Sequence, residues 1–447
     1  MTELLDLADS VVARAKEGEL VEAFLTRSRT TEIKAYNGDV ESLNSAASAG
    51  IAVRVIVDGR QGFAYTGALD DPALHETLEE ARDNARFAGV DEFNTIASPD
   101  GVAPPDLVVD TGKLAGTPVD RKVELALQLE RAARAGSPHI RGVDTAMYGD
   151  EVSVSAVATS TGVRAETESG VCYLAASVMA GEGAETQTAF WYGVGRHLDE
   201  LDLDEVARKA VDRAVRMLGA KQPASRRLTV VLEPLMTAQV LSLIGSTLTG
   251  EAVLKGYSPF GERVGESIGA SNVTLVEDPT DPDAFGASCY DDEGLASRRV
   301  PLVDGGVLRG FMHNSYTGRR SGEGSTGSAA RAGLAGSVGV GPRAMALTPG
   351  TLTPEELYAS VGDGLLVQNL KGLHSGVNPI SGDFSAGAEG MLIRDGALAE
   401  PVREITIAST LQRMLQDVRA IGADVHRLPM SAAGVTLAVG DVTMSGR

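Results

Sequence analysis

From Glu151 to Gly195 the chain alternates apolar and polar residues with few breaks, and at Leu203 the period changes. Alternation puts every second side chain on one face of a strand, so the first run reads as several antiparallel strands. Leu203, Val206, Ala207, Ala210, Val211, Ala214, Val215 and Leu218 then recur at i, i+3/i+4, the pattern of one apolar stripe along a helix. A long stretch of strand period followed by a long stretch of helix period predicts an α+β fold.

The same two periods divide the rest of the chain. Leu4, Ala8, Val11, Val12 and Ala15 mark a first helix. Val21 to Thr66 is strand-like, with a turn at Asn37-Gly38-Asp39, a strand over Gly50 to Gly59 and its continuation at Gly62-Phe63-Ala64-Tyr65. Pro72 to Phe87 reads as a second helix. Residues 96–119, rich in Pro, Asp and Gly, read as a connecting loop. A third helix starts at Thr117-Pro118-Val119-Asp120, with Thr117 as its cap, Pro118 at the first helical position and Asp120 in the positive first turn.

A chain of 447 residues is too long for one ordinary core, and Lys221 to Arg227 is the natural boundary. Residues 1–220 are therefore expected to form an N-terminal helix-plus-sheet domain, and 221–447 a larger, mostly antiparallel β-rich domain. In the second half, Leu228 to Leu232 reads as a strand and Leu235 to Thr249 as a helix, through Met236, Val240, Leu243, Ile244 and Leu248. A Gly-rich β region follows, interrupted by a capping-box helix start at Thr353 to Glu356. Leu411, Met414, Leu415, Val418 and Ile421 predict a last helix stopped by Gly422.

Charge and composition exclude several function classes. Acidic residues outnumber basic ones 61 to 40, for a formal charge of −21, and no Lys/Arg stripe with interleaved aromatics offsets it. Such a surface repels phosphate backbones, so nucleic-acid binding is not expected. Met1 to Asp6 is acidic, without the basic start of a signal peptide, and the longest apolar stretch, Val171 to Ala180, is too short to span a bilayer. A cytoplasmic protein with no membrane partner is the expectation. Cys172 and Cys289, without a CxxC, read as reduced, buried small hydrophobes.

The common hydrolytic devices are missing. There is no G-x-S-x-G elbow and no Walker A sequence. Arg320 to Ser328 is Gly-rich but lacks the terminal Gly-Lys-Ser/Thr, and reads as a flexible or peptide-contacting loop. Of the six histidines, no two could share one helix face, and none lies between His197 and His313. A zinc site of the type that takes two imidazoles from one helix therefore cannot form in the middle of the chain.

Several segments, in order, resemble the TldD/PmbA metallopeptidase family: Gly50 to Val55 with Gly62 to Thr66, Ser246 to Gly256, Asn314 to Arg320, Ser325 to Ser328, Leu373 to Gly387, and Pro401 to Ala408. The His374-Ser375-Gly376-Val377-Asn378-Pro379 block resembles the PmbA (TldE) branch. The resemblance implies a barrel-like C-terminal domain. In the TldD branch an HExxxH helix with a downstream cysteine binds the catalytic metal. The corresponding positions here are Ser242, Leu243 and Thr247, and both cysteines lie upstream of the third ligand's expected place. Hydroxyls are poor zinc ligands, and a leucine can neither activate water nor carry a proton.

The resemblance thus implies a subunit with no cofactor of its own and no catalytic residue. Zinc or another divalent metal would reside in a TldD-like partner, and the heterodimer would act on unfolded or small peptides. In isolation the chain would be a possible homodimer. His374, Ser375 and Asn378, with Arg319 and Arg320, are candidate contacts for peptide or partner. An equally open reading makes the His374 block a tight turn shaped by Gly376, Pro379 and Gly382, with Asn378 and Asp383 capping its backbone. Two other functions stay open: a stand-alone hydrolase with an unrecognised metal site built from scattered His, Asp and Glu, or a non-enzymatic peptide-binding homodimer.

Overall fold

A computed structural model gives the fold and describes residues 2–447. The first half runs α1 (Thr2–Val12), β1 (Leu20–Tyr36), β2 (Asp39–Val57), β3 (Arg60–Thr66), α2 (Asp71–Phe87), α3 (Gly112–Ala115), α4 (Val119–Ala135), β4 (Ile140–Thr159), β5 (Arg164–Ala180), β6 (Gln187–Gly195) and α5 (Leu203–Arg216). The six strands form one antiparallel sheet in the order β3-β2-β1-β4-β5-β6. Asn37 and Gly38, at φ 52° and 84°, make the two-residue β1–β2 turn, whose left-handed backbone Asn and Gly tolerate best.

The long strands let the sheet carry a core at each end. At one end α1 and α2 bury Leu4, Leu74 and Leu78 against Val21, Leu25, Ile51 and Val53. At the other, α4 and α5 bury Leu129, Val206 and Val211 against Ile33, Leu174 and Val178. Three expectations need correction. The first helix stops at Val12, short of Ala15. β4 starts at Ile140, before the alternation becomes legible. Thr117 does not cap α4: Pro118 occupies the cap position, and the Thr117 hydroxyl donates instead to the Lys113 carbonyl (3.0 Å), closing the turn before it.

The second half runs β7 (Arg226–Leu232), α6 (Pro234–Thr247), α7 (Gly250–Leu254), β8 (Leu275–Glu277), β9 (Val300–Asp304), β10 (Val307–Leu308), α8 (Ser315–Ser321), β11 (Ala329–Arg331), β12 (Val338–Val340), β13 (Met345–Leu347), α9 (Pro354–Val361), β14 (Gly364–Lys371), α10 (Leu373–Gly376), β15 (Asp383–Arg394), β16 (Ala397–Thr410), α11 (Leu411–Gln416), β17 (Val418–Ile421) and β18 (Leu437–Ser445). Strands β16-β15-β14-β7-β18 close into a barrel through a β16–β18 pairing, with β17 on its edge. Among the described strands only the β14–β7 pair is parallel. Helix α6 buries Met236, Val240, Leu241 and Ile244 in the largest core.

The last helix is shorter than the periodicity predicts. α11 ends at Gln416, and Val418–Ile421 pairs with β18 as a strand. Val418 and Ile421 are apolar at helical spacing, but the core they reach is the barrel's, and the Asp417 carbonyl is taken by the Gly440 amide (2.8 Å). Spacing alone cannot separate the two outcomes in so short a run.

Candidate functional site

The family resemblance directs attention to α6. Pro234 opens this helix at a position where its missing N–H is not needed. The hydroxyl of Ser242 donates to the Ala238 carbonyl (2.9 Å), and that of Thr247 to the Ile244 carbonyl (2.6 Å). Thr247 is 1% exposed, and Leu243 packs against the barrel core. These three side chains are committed to the helix and the core, and their donor set does not fit a metal ion. Among the described residues, no three His, Cys, Asp or Glu are grouped so as to hold one.

Ser242 is hydrogen-bonded to Ser431, which lines a cavity next to a larger open space. Between the first sheet and the second half lies a trough of about 590 Å3. Its floor is a lattice of hydroxyls. Ser48, Ser28, Ser153 and Ser169 face one another in a single row across β2, β1, β4 and β5. Ser28–Ser48 and Ser153–Ser169 are hydrogen-bonded at 2.8 Å, and Ser155–Thr167 in the next row at 2.7 Å. Phe285, Gly286, Arg331 and Arg343 form the opposite wall. A second cavity of about 340 Å3 shares Ser169, Phe285, Gly286 and Arg343 with the trough and extends to Ser431, whose hydroxyl donates to that of Ser242 (2.8 Å). The second cavity therefore reaches Ser431, the hydrogen-bond partner of Ser242 on α6.

Charged groups beside the trough are deeply buried. Arg54 bridges Glu22 (2.6 Å) and Glu293 (3.1 Å), and Arg331 also pairs with Glu22. Glu22 and Arg54 come from the first sheet, Glu293 and Arg331 from the second half, so this cluster ties the two together. Burial opposes the charge on Glu22, but Arg54 and Arg331 hold its carboxyl below the usual range. Asp291 is shifted the other way, up, by burial and by its neighbour Glu293. Burial also raises Glu277 to about 7, although its carboxylate accepts the Arg343 and Ala344 amides at 2.8 and 3.1 Å.

His313 is the only buried histidine among the described residues, at 5% exposure. It lies against Gly250, just past the end of α6, with Nδ1 3.2 Å from the Thr317 hydroxyl. Burial lowers its pKa, which keeps the ring neutral near pH 7.

The remaining sequence candidates lie elsewhere. His374 and Ser375 are exposed on α10. The Asn378 side chain accepts the Ile380 and Ser381 amides (3.0 and 3.4 Å), Asp383 accepts the Ser381 hydroxyl (2.7 Å), and the Asn378 and Gly382 backbones close the turn. Arg319 and Arg320 face the first half: Arg319 donates to the Asn94 carbonyl (3.4 Å), and Arg320 donates to the Tyr316 hydroxyl (2.8 Å) and lies over the Phe93 ring. Cys172 is buried, but Cys289 is only half-buried, its thiol near the Pro105 carbonyl (3.4 Å). The hydroxyl lattice and the four-membered ion cluster were missed from sequence. The lattice had a signal, since Thr26/Ser28, Ser153/Ser155 and Thr167/Ser169 repeat hydroxyls at strand period. The cluster had none, because its members are far apart in sequence.

Family models cover most of the chain: PmbA/TldA metallopeptidase domain 1 over residues 21–85, the central domain over 112–218 and the C-terminal domain over 225–446. The metalloprotease PmbA homolog of Haemophilus influenzae is 26% identical, over 96% of this chain and 93% of that protein. Metalloprotease PmbA of Escherichia coli O157:H7 is 27% identical, over 95% and 92%. A Thermotoga maritima crystal structure, of a protein described as a candidate modulator of DNA gyrase, superposes with a TM-score of 0.90 at 25% identity, covering 98% of this chain and 99% of that one. TldE from Thermococcus kodakarensis shares the fold at 22% identity and a TM-score of 0.89, with both chains fully covered.

Proposed function

The chain belongs to the PmbA/TldD metallopeptidase family, and from that premise we propose that it is the metal-free, TldE-type subunit of a heterodimeric peptidase. In this reading a TldD-like partner supplies the zinc or other divalent metal, and this chain shapes the channel that admits an unfolded or small peptide. The complex works in the cytoplasm.

The observation that carries the reading is the hydroxyl-floored trough and its adjoining cavity, which reaches Ser431, hydrogen-bonded to Ser242 of α6. A row of hydroxyls offers donors and acceptors to a peptide backbone without selecting side chains. Behind Ser431, the helix that bears the metal in the TldD branch offers a hydroxyl bonded to its own helix, a leucine and a buried threonine. No hydrolytic step is assigned to these residues. The role left to this chain is to enclose and orient, which accelerates a reaction run by another group through positioning and exclusion of water.

Co-expression with a TldD-type subunit tests the proposal. The pair is expected to co-purify and to cleave a small unstructured peptide, while the partner alone cleaves it far more slowly and this chain alone not at all. Cleavage by this chain alone, or full activity of the partner without it, would overturn the reading.

A further inference from the structure

The trough floor ends at two strand edges, and the chain treats them differently. At the level of the serine row β5 is an edge, because β6 pairs with it only from Cys172 onward. Residues 99–111 shield that edge. Pro99 lies beside Gly162 at one end of it, the Thr111 hydroxyl donates to Glu168 (2.9 Å) at the other, and the run between contains Pro104 and Pro105. A covering loop with prolines is a usual guard against pairing with another chain.

The opposite edge is β2. There β3 stops at Thr66, opposite Ile51, so Ser42–Ala49 pairs with β1 alone. Every residue from Leu43 to Ser48 is exposed, on both faces of the strand, and Leu43 is 45% exposed. The stretch Ser42-Leu43-Asn44-Ser45-Ala46-Ala47-Ser48-Ala49 holds no charge and no proline, on a chain of formal charge −21. An extended edge without these guards is a template for a further strand.

The geometry selects the occupant. A peptide in the trough follows the row Ser48, Ser28, Ser153 and Ser169, which crosses the strands, and so does not lie along this edge. A second copy of the chain does. Two identical edges pair antiparallel about a two-fold axis perpendicular to the sheet, so that each contact is made twice. One residue then faces its own copy. With Ser45 or Ala46 in that place, Leu43 faces Ala47 or Ala49 of the other copy, Asn44 faces Ala46 or Ser48, and no charged side chain enters the stretch.

We infer that Ser42–Ala49 joins two copies of this chain edge to edge. The perpendicular axis keeps both trough floors on the same face of the joined sheet, so the two serine rows border one continuous surface. The pairing needs no TldD-type partner, and it stands or falls apart from the role proposed above.

Light scattering of the full chain at micromolar concentration is expected to show a dimer. Ala46→Lys sets like charges across the axis and is expected to weaken that dimer roughly tenfold at low salt. Ala46→Glu should do the same, and mixing the two variants should restore the dimer, which a merely structural defect would not allow. In the parent chain, amide hydrogen exchange over Ser42–Ala49 is expected to slow as protein concentration rises, which decides the matter if the variants fold poorly. A parent that stays monomeric, a dimer unmoved by both variants, or protection of this segment only on adding a peptide would overturn the inference.

Discussion

Glu277 shows how a single buried carboxyl sets a pH dependence. Burial raises its pKa to about 7 from an ordinary 4.5, so between those values the folded chain holds a proton that the unfolded chain has released. Its contribution to stability is complete below about pH 4.5 and is lost as pH rises through about 7, at roughly 1.4 kcal/mol per pKa unit of displacement. Glu277→Gln, which cannot ionise, should therefore gain in urea midpoint relative to the parent as pH is raised from about 5 to about 8. A constant difference across that range would show that Glu277 is ionised throughout. The carboxyls held low by arginines, such as Glu19 beside Arg82, act in the opposite sense and lose their contribution on acidification. At this scale the sequence was informative about side-chain chemistry: Ser242, Leu243 and Thr247 read as poor metal ligands from their residue types alone. It was silent about Glu277 and Asp291, whose shifts come from burial that no local pattern reports.

The elements obey close-packing rules that sequence shows only in part. Gly62 of β3 lies so near α2 that a Cβ would come within 1.9 Å of the Ala81 carbonyl oxygen. Gly62→Ala should push α2 off the sheet and cost about 1–3 kcal/mol, the usual penalty of overpacking, read as a lower urea midpoint. An unchanged midpoint would mean that the helix slides freely. The α9 capping box, by contrast, was fully legible: Thr353 and Glu356 bond each other's backbone amides as the spacing requires. So were α5, with its single apolar stripe, and the Asn37-Gly38 hairpin, because both follow from local chemistry. Thr117 and the end of α11 were misread for a shared reason. A proline at the cap position and a nearby strand partner decided those boundaries, and neither is visible in the period of apolar residues.

At the scale of the whole molecule, the two halves are held together by Glu22, Arg54, Glu293 and Arg331, each at most 5% exposed in its side chain. Arg54→Met would leave Glu293 with no arginine of the cluster to pair and should cost about 3–5 kcal/mol, since a broken buried pair strands a charge. A loss of less than about 1 kcal/mol would mean that the cluster is open to water. Closure of the barrel by β16–β18 and the joining of the halves over the hydroxyl floor follow from pairings between distant segments, which periodicity cannot supply. The central claim, that the chemistry resides in another chain, is tested most directly by metal analysis of the pure, full-length protein. After equilibration with zinc and removal of free ion, the account predicts far less than one bound ion per chain. A stoichiometric, tightly held metal that survives dialysis would contradict it.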